Sequence, residues 1–366
     1  MRGALVQTRR RAVRNAFTLT ELLLVISIFV LLLALSVPAF SSMVNSANAA
    51  RADAQLQVAV ASARDAAVRG DTPGDTALGF FYELSGEMRL QVMLYADTIV
   101  DQDEMGNRFE RDVFVPDPSI RPIRLPRGWM ARGYAPAATL RAQEDQLFEQ
   151  SMTGTAERDR GHWIFPETAF YDATEGDNGE ARQSFMMRFR ARTGRPATSE
   201  TRSALLVDAA PWTGFRRTGL YRDFRLDEAP DLVRFVGAVK GRLSGDDLAE
   251  VIGDRATDTV LATPVREVAL YRDEDLAAGL GVRSNRVTRT LYTAPATITG
   301  TAIAADETAG WLPEYVGNNL STEQISNWLE GRDPDSGDPA EDPADTRIYS
   351  VDQSSGVLRE VVGDEL

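Results

Sequence analysis

The chain has 366 residues, of which 43% are hydrophobic and 26% are charged, a composition typical of globular protein. It has no cysteine, which excludes disulfides, thiolate nucleophiles and cysteine metal sites. The formal net charge is −14. An acidic chain is a poor ligand for nucleic acid, so no nucleic-acid partner is expected. The length predicts about two domains.

The most informative segment runs from Arg9 to Phe40 and reads RRRAVRNAFTLTELLLVISIFVLLLALSVPAF. It is basic at first, carries one acid at Glu21, and then has no charge until Arg51. A helical run of this length without charge can span a bilayer. Residues 1–16 contain five arginines and no acid, so the positive-inside rule predicts that they stay in the cytoplasm while the rest is exported. Their removal would leave a net charge of −14 − 5 = −19.

This order of residues resembles the cleavage and methylation signal of type IV pilins and type II secretion pseudopilins. Ala16 lies at the small position before the cleavage point, where the family normally has glycine, and Phe17 begins the Phe-Thr-Leu segment that leads to Glu21. The resemblance implies cleavage after Ala16 by a prepilin peptidase and N-methylation of Phe17. It also implies that Glu21 pairs with the Phe17 ammonium of a neighbouring subunit during assembly, and that Pro38 kinks the helix.

Two other interpretations of the segment stay open. The first is an ordinary secretory signal peptide that is cleaved near Pro38 and Ala39. The second is a membrane anchor that is never cleaved. Glu21 argues against the first, because an ordinary signal peptide has no use for an acid at the start of its apolar region.

A long helix over residues 17–70, with residues 17–40 crossing the membrane, is predicted from the apolar run and the alanine-rich stripe that follows it. Gly70 is expected to end the helix. Residues 63–67, Ala-Arg-Asp-Ala-Ala, resemble the end of this helix in H-type minor pseudopilins. Any alanine-rich amphipathic helix would give the same pattern.

The rest of the chain is predicted to be rich in β-structure. We expect a pilin-like head over 71–210, a C-terminal β-rich region over 211–330, and an acidic linker with a terminal hairpin over 331–366. Predicted strands are Gly86–Tyr95, Arg111–Pro116, Ile120–Leu125, Ser184–Arg192, Ser203–Val207, Leu232–Val239, Val265–Tyr271, Val287–Tyr292 and the hairpin pair Arg347–Asp352 and Val357–Val362. A short helix is expected at Ser321–Leu329. The predicted fold class is α+β and pilin-like: a long N-terminal transmembrane helix packed on an antiparallel sheet, with an enlarged C-terminal region.

Few residues point to catalysis or to a cofactor. His162 is the only histidine, and no nucleophile elbow, metalloprotease motif or phosphate-binding loop accompanies it. Gly279-Leu-Gly281 is too short for a nucleotide signature. Asp333, Asp335 and Asp338 could offer oxygen ligands to Ca²⁺ but lack the terminal glutamate of an EF-hand. We therefore expect no enzyme activity, no cofactor and no metal.

The resemblance implies a structural subunit in a type II secretion pseudopilus or a type IV pilus-like fibre, and the bulk of the head favours a minor subunit. Its expected partners are other pilin or pseudopilin subunits, the prepilin peptidase, the inner-membrane assembly platform and membrane lipid. Its expected location is the inner membrane, as a single-pass protein with its C-terminal part in the periplasm, and then the fibre. The alternatives are a membrane-anchored extracytoplasmic binding protein and, third, an exported enzyme.

Overall fold

The computed structural model describes residues 19–70, 74–82, 87–102, 108–136, 161–164, 166, 182–197, 204–207, 259–280, 322–334, 336–340 and 345–361. The chain divides into two compact units, Met1–Ala50 and Arg51–Leu366. The helices are α1 (Leu19–Arg69), α2 (Asp273–Gly279) and α3 (Thr322–Leu329). The strands are β1 (Thr76–Tyr82), β2 (Met88–Gln102), β3 (Arg108–Pro116), β4 (Ile123–Arg124), β5 (Trp129–Ala135), β6 (His162–Ile164), β7 (Arg182–Phe189), β8 (Ala204–Val207), β9 (Thr259–Pro264), β10 (Glu267–Arg272), β11 (Arg347–Val351) and β12 (Leu358–Val361).

The first sheet closes on itself. Its strand order is β1-β7-β9-β8-β3-β2, and β1 pairs antiparallel with both β2 and β7. Two of its pairings, β3 with β8 and β7 with β9, are parallel. The two-residue strand β4 adds to β2 outside the closed ring. Closure pairs both sides of all six ring strands, which leaves none of them as a free sheet edge.

The interior of the closed sheet is an apolar core to which every ring strand contributes. Its buried members are Ala77, Phe81, Met93, Phe114, Met186, Ala204, Leu206, Val260 and Ala262. Pairs from one strand are two or four residues apart, as the alternation of side chains across a strand requires. The large side chains fill the space that the small ones leave, as close packing of protein interiors demands.

A second, five-stranded sheet has the order β12-β11-β10-β5-β6 and is antiparallel throughout. Its strand β5 approaches β7 closely at Gly133, where a Cβ atom would lie 2.5 Å from the Phe185 ring. Glycine is therefore needed at this crossing. Helices α2 and α3 pack against this sheet, and Trp328 of α3 meets Tyr271 of β10 edge to face at 6.0 Å between ring centroids.

The second part of α1, from Arg51, belongs to the larger unit and buries one face. Its buried side chains are Ala52, Leu56, Ala59, Val60, Ala63, Ala66 and Ala67, spaced three or four residues apart as on one side of a helix. Tyr349 donates from its hydroxyl to Asp53 Oδ1 at 2.8 Å, which ties β11 to the helix. Gly70 has φ 67° and ends α1 at the residue where the sequence predicts the end.

The predicted pilin-like α+β fold is wrong. The described residues form mostly strands, and the first sheet is closed and partly parallel instead of a single antiparallel layer. Within the residues that the structure describes, no helix supplies a stretch long and apolar enough to cross a bilayer. The prediction of an antiparallel sheet assumed that strands adjacent in the sequence pair with each other. However, β7 pairs with β9, which follows it only after residues 190–258.

Most of the predicted strands overlap an observed one, and the terminal hairpin is present as β11 and β12. The predicted strands Leu232–Val239 and Val287–Tyr292 lie outside the described residues, as does most of the region 211–330. Strands β1, β5, β6 and β9 were not among those predicted individually.

A substitution in the closed core tests the packing. Leu206 is fully buried, so Leu206→Ala should lower the free energy of unfolding by about 3 kcal/mol through lost burial and the cavity that remains. Chemical denaturation followed by circular dichroism measures this. Val58 on α1 is 55% exposed, and Val58→Ala should change stability by less than about 0.5 kcal/mol. Equal effects for the two variants would contradict the assignment of the core.

Candidate functional site

The first part of α1 exposes a continuous apolar surface. Sixteen large apolar side chains between Leu19 and Val44 are each more than half exposed. They include Leu22, Phe29 and Phe40, at 57%, 64% and 68%. Single apolar residues scattered over a surface are common, but a contiguous exposed apolar surface of this extent is typical of a site of association with another protein or a membrane.

Polar side chains within this surface are largely satisfied by the helix itself. Ser27 donates from its hydroxyl to the Leu23 carbonyl at 2.8 Å, and Ser36 donates to the Leu32 carbonyl at 2.7 Å. Such bonds to the preceding turn let a hydroxyl enter apolar surroundings without loss of its hydrogen bond. Glu21 is the only ionisable residue between Leu19 and Ala50, so one carboxylate accompanies the whole apolar surface.

Glu21 lies in the first turn of α1. The positive end of the helix dipole favours a carboxylate there, typically by about 0.3–1 kcal/mol, so the position has a local structural reason as well. Ala16 and Phe17, the predicted cleavage and methylation residues, lie outside the described residues. Pro38 lies inside α1, and the kink at this residue stays a prediction.

A buried ionic network lies at one end of the closed sheet and was not predicted. Arg188 on β7 is 8% exposed and contacts Asp75 Oδ2 at 2.8 Å and Asp112 Oδ2 at 2.6 Å. Thr98 donates from Oγ1 to the other oxygen of Asp112 at 2.8 Å. Burial alone would lower the pKa of Arg188, but Asp112 and Asp75 outweigh it, and the pKa is raised.

The network also holds the chain around it. Asp75 Oδ1 accepts the backbone amide of Ala191 at 3.0 Å, so one carboxylate fixes both a side chain and the turn after β7. The guanidinium of Arg188 lies over the Phe114 ring, 5.3 Å from its centroid. The arginine thus pairs with two carboxylates and covers the Phe114 ring, and both contacts stabilise the closed sheet.

A second polar cluster lies between the second sheet and its helices. Arg132 on β5 is 2% exposed, donates from Nε to the Tyr271 hydroxyl at 2.9 Å and from Nη1 to the Trp163 carbonyl at 3.3 Å. Burial raises the pKa of Tyr271 to about 12, although Arg132 opposes the shift. Asp273, the first residue of α2, is also buried, at 3% exposed. The only sequence signal for this cluster was an arginine in the apolar segment Trp129–Ala135.

The residues that the sequence offered for catalysis or metal binding do not come together. The carboxylate of Asp333 accepts from the backbone amide and the hydroxyl of Ser336, at 2.8 and 3.0 Å, and so closes a local turn. Asp335 lies outside the described residues. Within the described ranges, no group of three or more histidine or acidic residues is placed to hold a metal ion. His162 is in the short strand β6, and Gly279 ends α2 against Trp328.

Comparison with protein families, curated proteins and solved structures finds no match for this chain. The candidate functional site is therefore chosen on physical grounds. The two buried clusters are enclosed by their own strands and helices, whereas the apolar surface of α1 from Leu19 to Val44 is open and large. That surface can associate with other apolar surfaces, and Glu21 is its single ionisable residue.

The Arg188 network yields a stability prediction. Arg188→Met should lower the free energy of unfolding by about 3 kcal/mol, because it leaves Asp75 and Asp112 without their shared cation. Arg195 is exposed and serves as a matched control, and Arg195→Met should be neutral within about 0.5 kcal/mol. Denaturant titrations of both variants make the measurement. A neutral Arg188→Met would show that the ion pairs contribute nothing net.

Proposed function

We propose that this chain is a structural subunit, of the minor kind, in a type II secretion pseudopilus or a type IV pilus-like fibre. The observation that carries the proposal is the exposed apolar surface of α1 between Leu19 and Val44, with Glu21 as its only ionisable residue. The processing signal around Ala16 and Phe17 precedes it directly in the sequence. The partners that fit are α1 helices of neighbouring subunits with the same apolar character.

The energetics support association through this surface. Burial of one large apolar side chain contributes roughly 1.5–3 kcal/mol. Association costs about 4–15 kcal/mol in lost freedom of motion. Sixteen such side chains are more than half exposed, so moving this surface out of water is strongly favourable. Before assembly that gain comes from contact with lipid at the inner membrane, and the exchange of lipid for the apolar faces of neighbouring helices then depends on close packing between them.

Glu21 would set the alignment of neighbouring subunits. A carboxylate without a partner in an apolar helix bundle costs several kcal/mol. In the proposed fibre, cleavage after Ala16 frees the Phe17 amine, and the ammonium of one subunit neutralises Glu21 of the next. Only one axial offset between helices brings the two charges together. The pair would therefore select the register of the fibre while adding little net stability.

The globular part favours a minor role. Residues 51–366 form a unit with two sheets, and a part of this size is difficult to repeat many times along a thin fibre. In the proposal it lies on the periplasmic side, the prepilin peptidase cleaves and methylates the chain, and the assembly platform of the inner membrane inserts it into the fibre.

The mature N-terminus tests the processing step. Mass spectrometry of the chain purified from its native host should find a polypeptide that starts at Phe17 and carries one added methyl group. A start at Met1 would support the uncleaved membrane-anchored binding protein instead. A start near Ser41 would support the ordinary signal peptide, and either result would overturn the proposal.

A substitution at Glu21 tests the assembly step. Glu21→Ala leaves the neighbouring Phe17 ammonium without a partner, so its incorporation into sheared fibres should fall at least about tenfold, equivalent to about 1.4 kcal/mol. Quantitative blotting of sheared and cell-bound fractions measures this. Asp65→Ala removes the same charge from an exposed position of the same helix and should assemble normally. Normal incorporation of Glu21→Ala would contradict the pairing.

A further inference from the structure

Three segments of the larger unit meet at the C-terminal end of α1. The turn after β7 donates from its Arg192 amide to the Ala67 carbonyl of α1 at 2.8 Å. A Cβ on Gly194, in the same turn, would lie 3.0 Å from Arg64 Cγ. A Cβ on Gly356, in the turn between β11 and β12, would collide with the Gly194 carbonyl. The end of α1, the turn after β7 and the turn of the terminal hairpin are therefore in direct contact.

The surface formed by these segments is rich in arginine. The cations of this arginine patch are Arg64 and Arg69 of α1 and Arg190, Arg192 and Arg195 of the turn after β7. All of them are exposed except Arg64, which is partly buried and whose Nε has no hydrogen-bond partner among the described residues. In the same part of the chain, no carboxylate lies within ion-pair distance of Arg64, Arg69, Arg192 or Arg195. The patch therefore holds cations that can pair with carboxylates from outside the chain.

The turn that carries three of these arginines has a fixed backbone. Its Gly194 amide donates to the Arg190 carbonyl at 3.0 Å, and Asp75 Oδ1 accepts the amide of Ala191. Arg192 has φ 66° and is the only described residue other than glycine in the left-handed region, so an arginine lies where the backbone favours glycine. A turn held in this way loses little backbone freedom when a partner binds its side chains.

The dipole of α1 explains only part of the patch. The C-terminal end of a helix attracts cations, but the effect is confined to the last turn. That accounts for Arg69 and for Arg192, whose amide bonds to the last turn. Arg64 is more than one turn before the end of α1, and Arg195 is beyond the bond to Ala67. These two arginines have no such local reason.

Carboxylates are concentrated at the opposite end of β11. The hairpin turn that touches the patch follows β11, whereas Asp345 precedes it, and the five residues of the strand span about 17 Å. Burial raises the pKa of Asp275 on α2, and Asp345 adds to the shift, so the two carboxylates are near each other. Glu274 beside them is 66% exposed, and Arg272 is the cation that pairs with both residues of α2. We call Glu274, Asp275 and Asp345 the acidic end.

We propose that the arginine patch of one copy of this chain binds the acidic end of a second copy. Guanidinium groups suit this role because they bind carboxylates through two parallel hydrogen bonds. The whole chain has a net charge of −14, but repulsion between exposed charges is screened beyond about 8 Å at physiological ionic strength, so the facing groups decide the contact. The two surfaces differ, so the contact is head-to-tail and can continue beyond two copies.

The contact belongs to the globular unit and goes beyond the proposed function. It uses neither the Phe17 amine nor Glu21, so it can fail while the processing and assembly predictions hold, and the reverse is equally possible. Two copies are enough to form it, which is compatible with a minor subunit.

Reversal of charge on each surface tests the contact. The full chain, purified in an uncharged detergent, is studied by sedimentation velocity at 50 mM salt. Arg192→Glu with Arg195→Glu makes the patch acidic, and Glu274→Arg with Asp345→Arg makes the acidic end basic. Either double variant alone should associate at least about tenfold more weakly than the wild type, because attraction becomes repulsion. An equal mixture of the two variants should regain association, because each reversed surface then meets its complement.

A matched control separates this pairing from a general effect of charge. Arg51→Glu with Arg121→Glu changes the net charge by the same amount at exposed positions that belong to neither surface, and it should associate as the wild type does. If the reversed patch does not fold, Arg192→Gln with Arg195→Gln takes its place and should also weaken association. A wild-type chain that stays monomeric at 50 mM salt would overturn the proposal, as would wild-type association in the variant with the reversed acidic end. Failure of the mixture of two folded variants to associate would do the same.

Discussion

The fold of the larger unit depends on the pairing of β1 on both sides. All seven residues of this strand are buried. All seven pair in antiparallel register with β2 on one side, and residues 76–79 also pair with β7 on the other. Without the second pairing, the six strands would form an open sheet with β1 and β7 as unpaired edges. Closure also limits the volume of the interior. Phe81 and Phe114 therefore share it with alanines instead of further large residues.

Closure explains the positions of two buried arginines. The guanidinium of Arg89 lies over the Phe81 ring at 4.3 Å, and that of Arg188 lies over the Phe114 ring at 5.3 Å. Both arginines are on ring strands, and both rings belong to the interior core. An aromatic face next to a cation contributes roughly 0.5–2 kcal/mol when the pair is shielded from water. In both cases the cation covers an aromatic face of the core.

Local patterns in the sequence predicted part of the fold. The end of α1 at Gly70 and the terminal hairpin follow from a left-handed glycine and from alternation on either side of a short turn. The parallel pairing of β7 with β9 has no local signal, because the partners are separated by residues 190–258 and the choice between neighbours is made by the closed core. For the same reason the assumption of one antiparallel layer failed. Among the charged residues, Glu21 was singled out from the sequence, whereas Arg132 and Asp273 were not.

The buried charges show why such residues escape a reading of the sequence. Arg188 is matched by Asp75 and Asp112, which come from different parts of the chain, and the three together tolerate burial. Burial raises the pKa of Asp273 to about 7, although the nearby Arg132 opposes the shift. The same residue type shares a buried cation in one place and, among the described residues, keeps one carboxylate oxygen without a hydrogen bond in the other. What separates them is the number of donors that the fold brings to each carboxylate, and that number exists only after the sheets have formed.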